Sequence, residues 1–166
     1  MLHSLVVRVA SRPGGGDRRL PRISARLTSI VGTLREAAGP DMPIVGATYH
    51  DPLLFLWTIP GFDHDLVVAN AGVWTAFNDM LEQTYAALGV PVADVEAAFS
   101  ATDFDTIVHA RGVGDVPINV ARVCQWTYAC SEAFGHDPHP NTIGYAAMTR
   151  AWEAAIATVL REPSSS

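Results

Sequence analysis

The segment Gly135-His136-Asp137-Pro138-His139-Pro140-Asn141-Thr142-Ile143-Gly144-Tyr145 gathers the residue types of proton-transfer chemistry into one short stretch. Prolines on both sides of His139 restrict the backbone there, and a helical pattern follows from about Asn141. A histidine held in a turn before a helix is well placed for catalysis. An aspartate close by can hold its imidazole in one tautomer and stabilise the imidazolium that general-base catalysis forms. On composition alone, a structural or surface histidine is the more common reading. Three clusters, His50-Asp51, Asp63-His64-Asp65 and His136-Asp137-Pro138-His139, are also rich in metal-ligand types. Converging above a sheet they would suit a metal-dependent phosphoesterase, but none has a zinc-enzyme spacing such as His-Glu-x-x-His. Asp63 and Asp65 read better as helix-start residues. No metal or cofactor is therefore expected. Cys124 and Cys130 lie six residues apart. They either close a disulfide, if their segment bends into a loop, or remain two separate buried thiols.

These residues need elements to position them. Ile23, Leu27, Ile30, Leu34 and Ala38 recur at helical spacing, and Gly39-Pro40 stops that helix. Pro43 to Thr48 reads as a short strand buried on both faces, ending at Tyr49-His50-Asp51-Pro52. After an apolar loop from Leu53 to Pro60, a helix starting near Asp63 or Asp65 presents Leu66, Val73, Phe77, Met80, Leu81 and Leu88. Val90 to Val95 reads as a second buried strand, and residues 97–122 as irregular. The last helix, from about Asn141 to Leu160, buries Met148, Trp152, Ala155, Ile156 and Val159. Helix, strand, helix, strand, helix implies an α/β protein with a parallel sheet and right-handed crossovers.

His139-Pro140-Asn141 with Gly144-Tyr145 resembles the last signature block of the SGNH/GDSL hydrolases, Asp-x-x-His-Pro-Asn followed by a glycine and a helix. Three further stretches are similar to one actinobacterial branch of these esterases. They are Ile44 to Pro52, then Val90 to Val95 with Phe99, and Asn119-Val120-Ala121 through Cys124-Gln125-Trp126-Thr127 to Cys130. The resemblance runs from about Ile23 to Leu160. It implies a three-layer αβα, flavodoxin-like SGNH hydrolase sandwich, incomplete here because the amino-terminal strands are missing. It also implies His139 as the base of a serine-esterase mechanism acting on a carboxylic ester or lipid. The family's orienting aspartate stands three residues before the histidine, where this chain has His136; Asp137, two before, is the implied orienter.

Ser4, Ser11, Ser24, Ser29, Ser100 and Ser131 all lack the family's Gly-Asp-Ser context. Gly14-Gly15-Gly16-Asp17 has glycine where the oxyanion asparagine of a Gly-x-Asn-Asp block would stand. The nucleophile and first strands are thus expected upstream of Met1. The chain is read as an ester hydrolase, inactive as written if the nucleophile block is absent, or alternatively as a non-catalytic SGNH-derived fragment or binding module, with Leu53 to Trp57 available to line an acyl surface. The open edge of the Ile44–Thr48 strand calls for a covering partner or segment, and the Ser4–Ala10 run is one candidate.

The bulk numbers bound these readings. At 166 residues and 49% hydrophobic content the chain can build one real core. We expect residues 1–22 to form a poorly ordered arm, 23–160 the SGNH-like domain, and 161–166 a disordered tail. A net charge of −6 argues against a nucleic-acid binder, and no apolar run reaches the ~20 residues of a membrane span. Met1 to Ala10 does not form a signal peptide, although relatives of the family are often secreted and a disulfide would fit that.

Overall fold

The computed structural model describes residues 19–39 and 42–161. The Ser4–Ala10 run, Gly14–Asp17 and the tail beyond Arg161 lie outside the described residues. Among the described residues the fold is mixed α/β and mainly helical, 62%, with small sheets and no barrel.

Helix α1 spans Arg19–Ala38, starting earlier than the apolar periodicity because Pro21 is tolerated in a first turn. Gly39, at φ 92°, closes it by donating its N–H to Arg35. Strand β1, Gly46–Ala47, is followed by a 3-10 helix over Pro52–Thr58, where a plain loop was expected. Asp51 caps that helix, accepting the Leu53 N–H at 2.8 Å. Asp63 caps α2, His64–Ala87, through the Asp65 N–H. Strand β2, Val92–Ala93, runs parallel to β1 with Gly46 opposite Val92 and Ala47 opposite Ala93.

Residues expected to be irregular hold order of their own. A short helix α3, Val95–Ala98, leads to an antiparallel hairpin of β3, Ile107–Ala110, and β4, Gly114–Pro117. Gly112 and Gly114 have positive φ at its turn, so the breakers seen in the sequence make the hairpin. Helix α4, Ile118–Trp126, passes into β5, Thr127–Tyr128, which pairs antiparallel with β6, Asp137–Pro140. Helix α5 spans Thr142–Arg161. Only β1–β2 is parallel, and each described sheet has two strands, so a parallel sheet is present as a single strand–helix–strand unit.

The core gathers around α4. Leu54, Phe55 and Leu56 from the 3-10 helix pack with Val67, Val95, Phe99, Val116, Val120 and Val123. The apolar loop thus supplies core packing. The buried stripes are rotated from those the hydrophobic pattern suggests. Helix α2 buries Val67, Asn70, Ala71, Asn78, Leu81 and Thr84, while Val73 faces solvent. Helix α1 buries Val31 alone, leaving Ile23, Ile30 and Leu34 exposed. On α5 the buried residues are Gly144, Ala147 and Ala155, with Ile156 exposed.

The backbone leaving β1 finds its partners on α2. Helix α2 packs on β1, and the Tyr85 ring lies where a side chain at Gly46 would otherwise stand. The Asn78 side chain acts as a one-residue strand partner. Its Oδ1 accepts the Tyr49 N–H at 2.9 Å, and its Nδ2 donates to the Tyr49 carbonyl at 2.8 Å. Asn78 is buried for this reason: backbone groups beyond β1 need partners that no neighbouring strand supplies.

Candidate histidine–aspartate site

Helix α4 ends at Trp126 because Thr127 turns extended and its hydroxyl donates back to the Val123 carbonyl at 2.6 Å. Cys124 in the last turn and Cys130 beyond β5 come to disulfide distance, with Cα atoms 4.9 Å apart. This settles the choice left open by spacing. The chain then turns through Gly135 and His136, both left-handed at φ 64° and 58°. Histidine tolerates that region better than bulkier residues. His136 is held there by its Nδ1 at 2.8 Å from the Ala129 carbonyl and by stacking on Phe55.

Asn141 locks the far end of the turn. Its backbone N–H donates to the Trp126 carbonyl at 2.8 Å, and its Nδ2 to the Gln125 carbonyl at 2.8 Å. Its Oδ1 caps α5, accepting the N–H groups of Ile143 and Gly144. Gly144 has to be glycine, since a methyl there would overlap the Trp126 carbonyl oxygen.

Between these anchors sit Asp137 and His139. Asp137 Oδ1 accepts the His139 backbone N–H at 2.9 Å and lies 2.5 Å from His139 Nδ1. These bonds from His139, the backbone one foremost, hold the Asp137 carboxyl below its usual range. An ionised carboxylate can only accept, so Nδ1 carries a proton, and in the neutral imidazole Nε2 is then the nitrogen with the lone pair. The His139 side chain is 74% exposed, so that lone pair is open to solvent or a substrate. The arrangement can take a proton from a hydroxyl placed at Nε2. His136, at the position where the resembled family has its aspartate, points its ring at Ala129 and Phe55 instead. Asp137 is the hydrogen-bond partner of the His139 ring among the described residues.

The loop rests on a residue whose part was not legible in the sequence. His50, three residues beyond β1, stacks on Phe99 at 4.5 Å between ring centroids, and its ring nitrogens are buried without a hydrogen bond. The Pro138 carbonyl faces that ring without reaching hydrogen-bond geometry, and burial lowers the His50 pKa. A buried imidazole, disfavoured in its charged form, thus stands beside the Pro138 carbonyl of the dyad loop. Asp51 is 1% exposed, and burial pushes its carboxyl up to about 7 against hydrogen bonds from Leu53 and Asn70. His64 stacks on Trp57 and meets its carbonyl through Nε2. The three clusters of ligand-type residues are therefore spent on capping, stacking and the dyad. Among the described residues no group of three or more such side chains is placed to hold one metal ion.

None of the four described serines hydrogen-bonds His139. Ser24 bonds Thr84, Ser100 accepts from Arg122, Ser29 lies exposed on α1, and Ser131 opens the 3-10 turn Glu132–Phe134. A groove of about 790 Å³ between β2, α4 and α5, lined by Arg122, Trp126 and Arg150, does not include the dyad. No described helix is long and apolar enough to cross a membrane. Comparisons with protein-family models, curated proteins and solved structures find no match to this chain.

Proposed function

We propose that this chain carries the histidine–aspartate half of an SGNH/GDSL-like ester hydrolase site, acting on a carboxylic ester or lipid. The observation that carries the reading is the Asp137–His139 pair, with Nδ1 tied to the carboxylate and Nε2 exposed. In this reading His139 is the general base and Asp137 its orienter, and the serine comes from outside residues 19–161. The loop's position supports it. His50 brings Pro138 beside the carboxyl end of β1, and ligands of open α/β sheets bind at such strand ends. The finer fold proposed is part of a three-layer αβα sandwich, with α1 and α2 in one layer and α5 in another. Contacts of α1 with α2, of α2 with β1 and of α5 with β2 agree with that arrangement. Further layer neighbours would cover the apolar face Ile23, Ile30 and Leu34.

A second reading is favoured by one observation: no described serine meets His139. In it the chain is a non-catalytic, SGNH-derived binding module. A fluorophosphonate probe separates the two. The esterase reading predicts covalent labelling of one serine in wild type and its loss in His139→Ala. Absence of labelling in folded wild-type protein would leave the binding module standing.

A further inference from the structure

The dyad loop is moored almost entirely to one short segment. Apart from bonds within the loop itself and those by which Asn141 caps α5, its hydrogen bonds end on residues 125–129. Asn141 reaches the carbonyls of Gln125, Trp126 and Thr127. His136 reaches Ala129, and Asp137 pairs with Tyr128. Cys124 and Cys130 bracket that segment.

The two moorings are not equally secured. The acceptors of Asn141 sit on the end of α4, fixed by the bonds from Thr127 to Val123. Tyr128 and Ala129 lie past the helix. They are tied back by the Ala129 N–H to the Thr127 hydroxyl, at 3.0 Å, by burial of the small Ala129 side chain in the core, and by the bridge at Cys130. Asp137 hangs on this second mooring and His139 lies between the two.

We propose that the Cys124–Cys130 bridge is a redox-sensitive positioning device for the dyad, holding Asp137 on His139 when oxidised and releasing Asp137 when reduced. The Asn141 mooring stays docked in both states. The inference rests on Asp137 as the orienter of His139 and needs no particular nucleophile. In the reductive step a thiolate of a dithiol attacks one bridge sulfur to form a mixed disulfide, and its second thiol resolves that bond. The bridge takes up two electrons and two protons as two thiols, and the dithiol leaves as its cyclic disulfide.

The test uses the full chain with and without dithiothreitol, following the Asp137 carboxyl by carbon NMR titration and backbone amides by hydrogen exchange. Asp137 is held below its usual range by bonds from His139, so in reduced protein its titration should move up toward the ordinary carboxylate range. The His139 amide, bonded to Asp137, should exchange about tenfold faster or more, while Asn141 and the core residue Val120 keep their protection. A double variant, Cys124→Ser with Cys130→Ser, should behave as the reduced protein without any reductant. An Asp137 titration identical in both states would overturn the proposal. So would loss of protection at Asn141 and Val120 together with His139, because that is unfolding of the whole domain. Neither readout uses hydrolysis, so failure of the esterase reading is told apart from failure of this one.

Discussion

Replacing Asp51 by asparagine removes a buried titratable group while keeping the side-chain shape and the oxygen that accepts the Leu53 N–H. Burial raises this carboxyl from 3.8 to about 7, with Glu96 adding to the rise and bonds from Leu53 and Asn70 opposing it. Between those values the folded protein holds the proton more tightly than the unfolded chain. The favourable contribution of Asp51 is therefore complete below pH 3.8 and lost as the pH rises through about 7. At ~1.36 kcal/mol per pH unit, the group makes the fold about 2–3 kcal/mol less stable at pH 8 than at pH 5. His50 works in the opposite sense: burial lowers its pKa, so its contribution is gained as the pH rises toward 6.5. Since His50 and Glu96 remain in the variant, the difference between the two proteins isolates Asp51. Urea unfolding at pH 5 and pH 8 reads it. From pH 5 to pH 8, Asp51→Asn should gain about 2–3 kcal/mol on wild type. The variant's absolute stability is a separate matter, because the new amide meets the Asn70 amide and one must turn. The same pH dependence in both proteins would refute a buried, proton-holding Asp51.

Two further substitutions test the packing around the site. Asn78→Ala should cost about 2–4 kcal/mol in chemical denaturation, because the N–H and carbonyl of Tyr49 both lose their partner. A cost under about 0.5 kcal/mol would show that water replaces the amide freely. Gly144→Ala should cost about 1–3 kcal/mol, since the added methyl overlaps the rigid Trp126 carbonyl. Its thermal midpoint should fall, and an unchanged midpoint would mean α5 does not approach α4 so closely.

The elements were legible where one physical rule decided them. Asp63 could be read as a cap and Gly39 as a stop, because both act through the local backbone. Short strands around Gly46 and Val92 could be placed from apolar runs between breakers. Which faces are buried was less legible. Asn70 and Asn78 occupy the buried side of α2 since Asp51 and the Tyr49 backbone need donors and acceptors there, and a hydrophobic pattern carries no trace of that need. The exposed Ile23, Ile30 and Leu34 show the converse: a clean periodic stripe predicts a helix without saying what covers it. At the site, Asp137 and His139 stood out through residue type and spacing. The moorings did not, because Ala129, Gln125 and Trp126 contribute backbone carbonyls that any residue could provide. Asn141 alone left a sequence signal, a capping residue just before a helical run.

We propose His139, oriented by Asp137, as the base of an ester hydrolase site. Hydrolysis of a short-chain nitrophenyl ester by wild type and by His139→Ala, with circular dichroism to show the fold unchanged, tests it most directly. The variant should lose about 100-fold or more of the turnover. Undiminished turnover in a folded His139→Ala protein would contradict it.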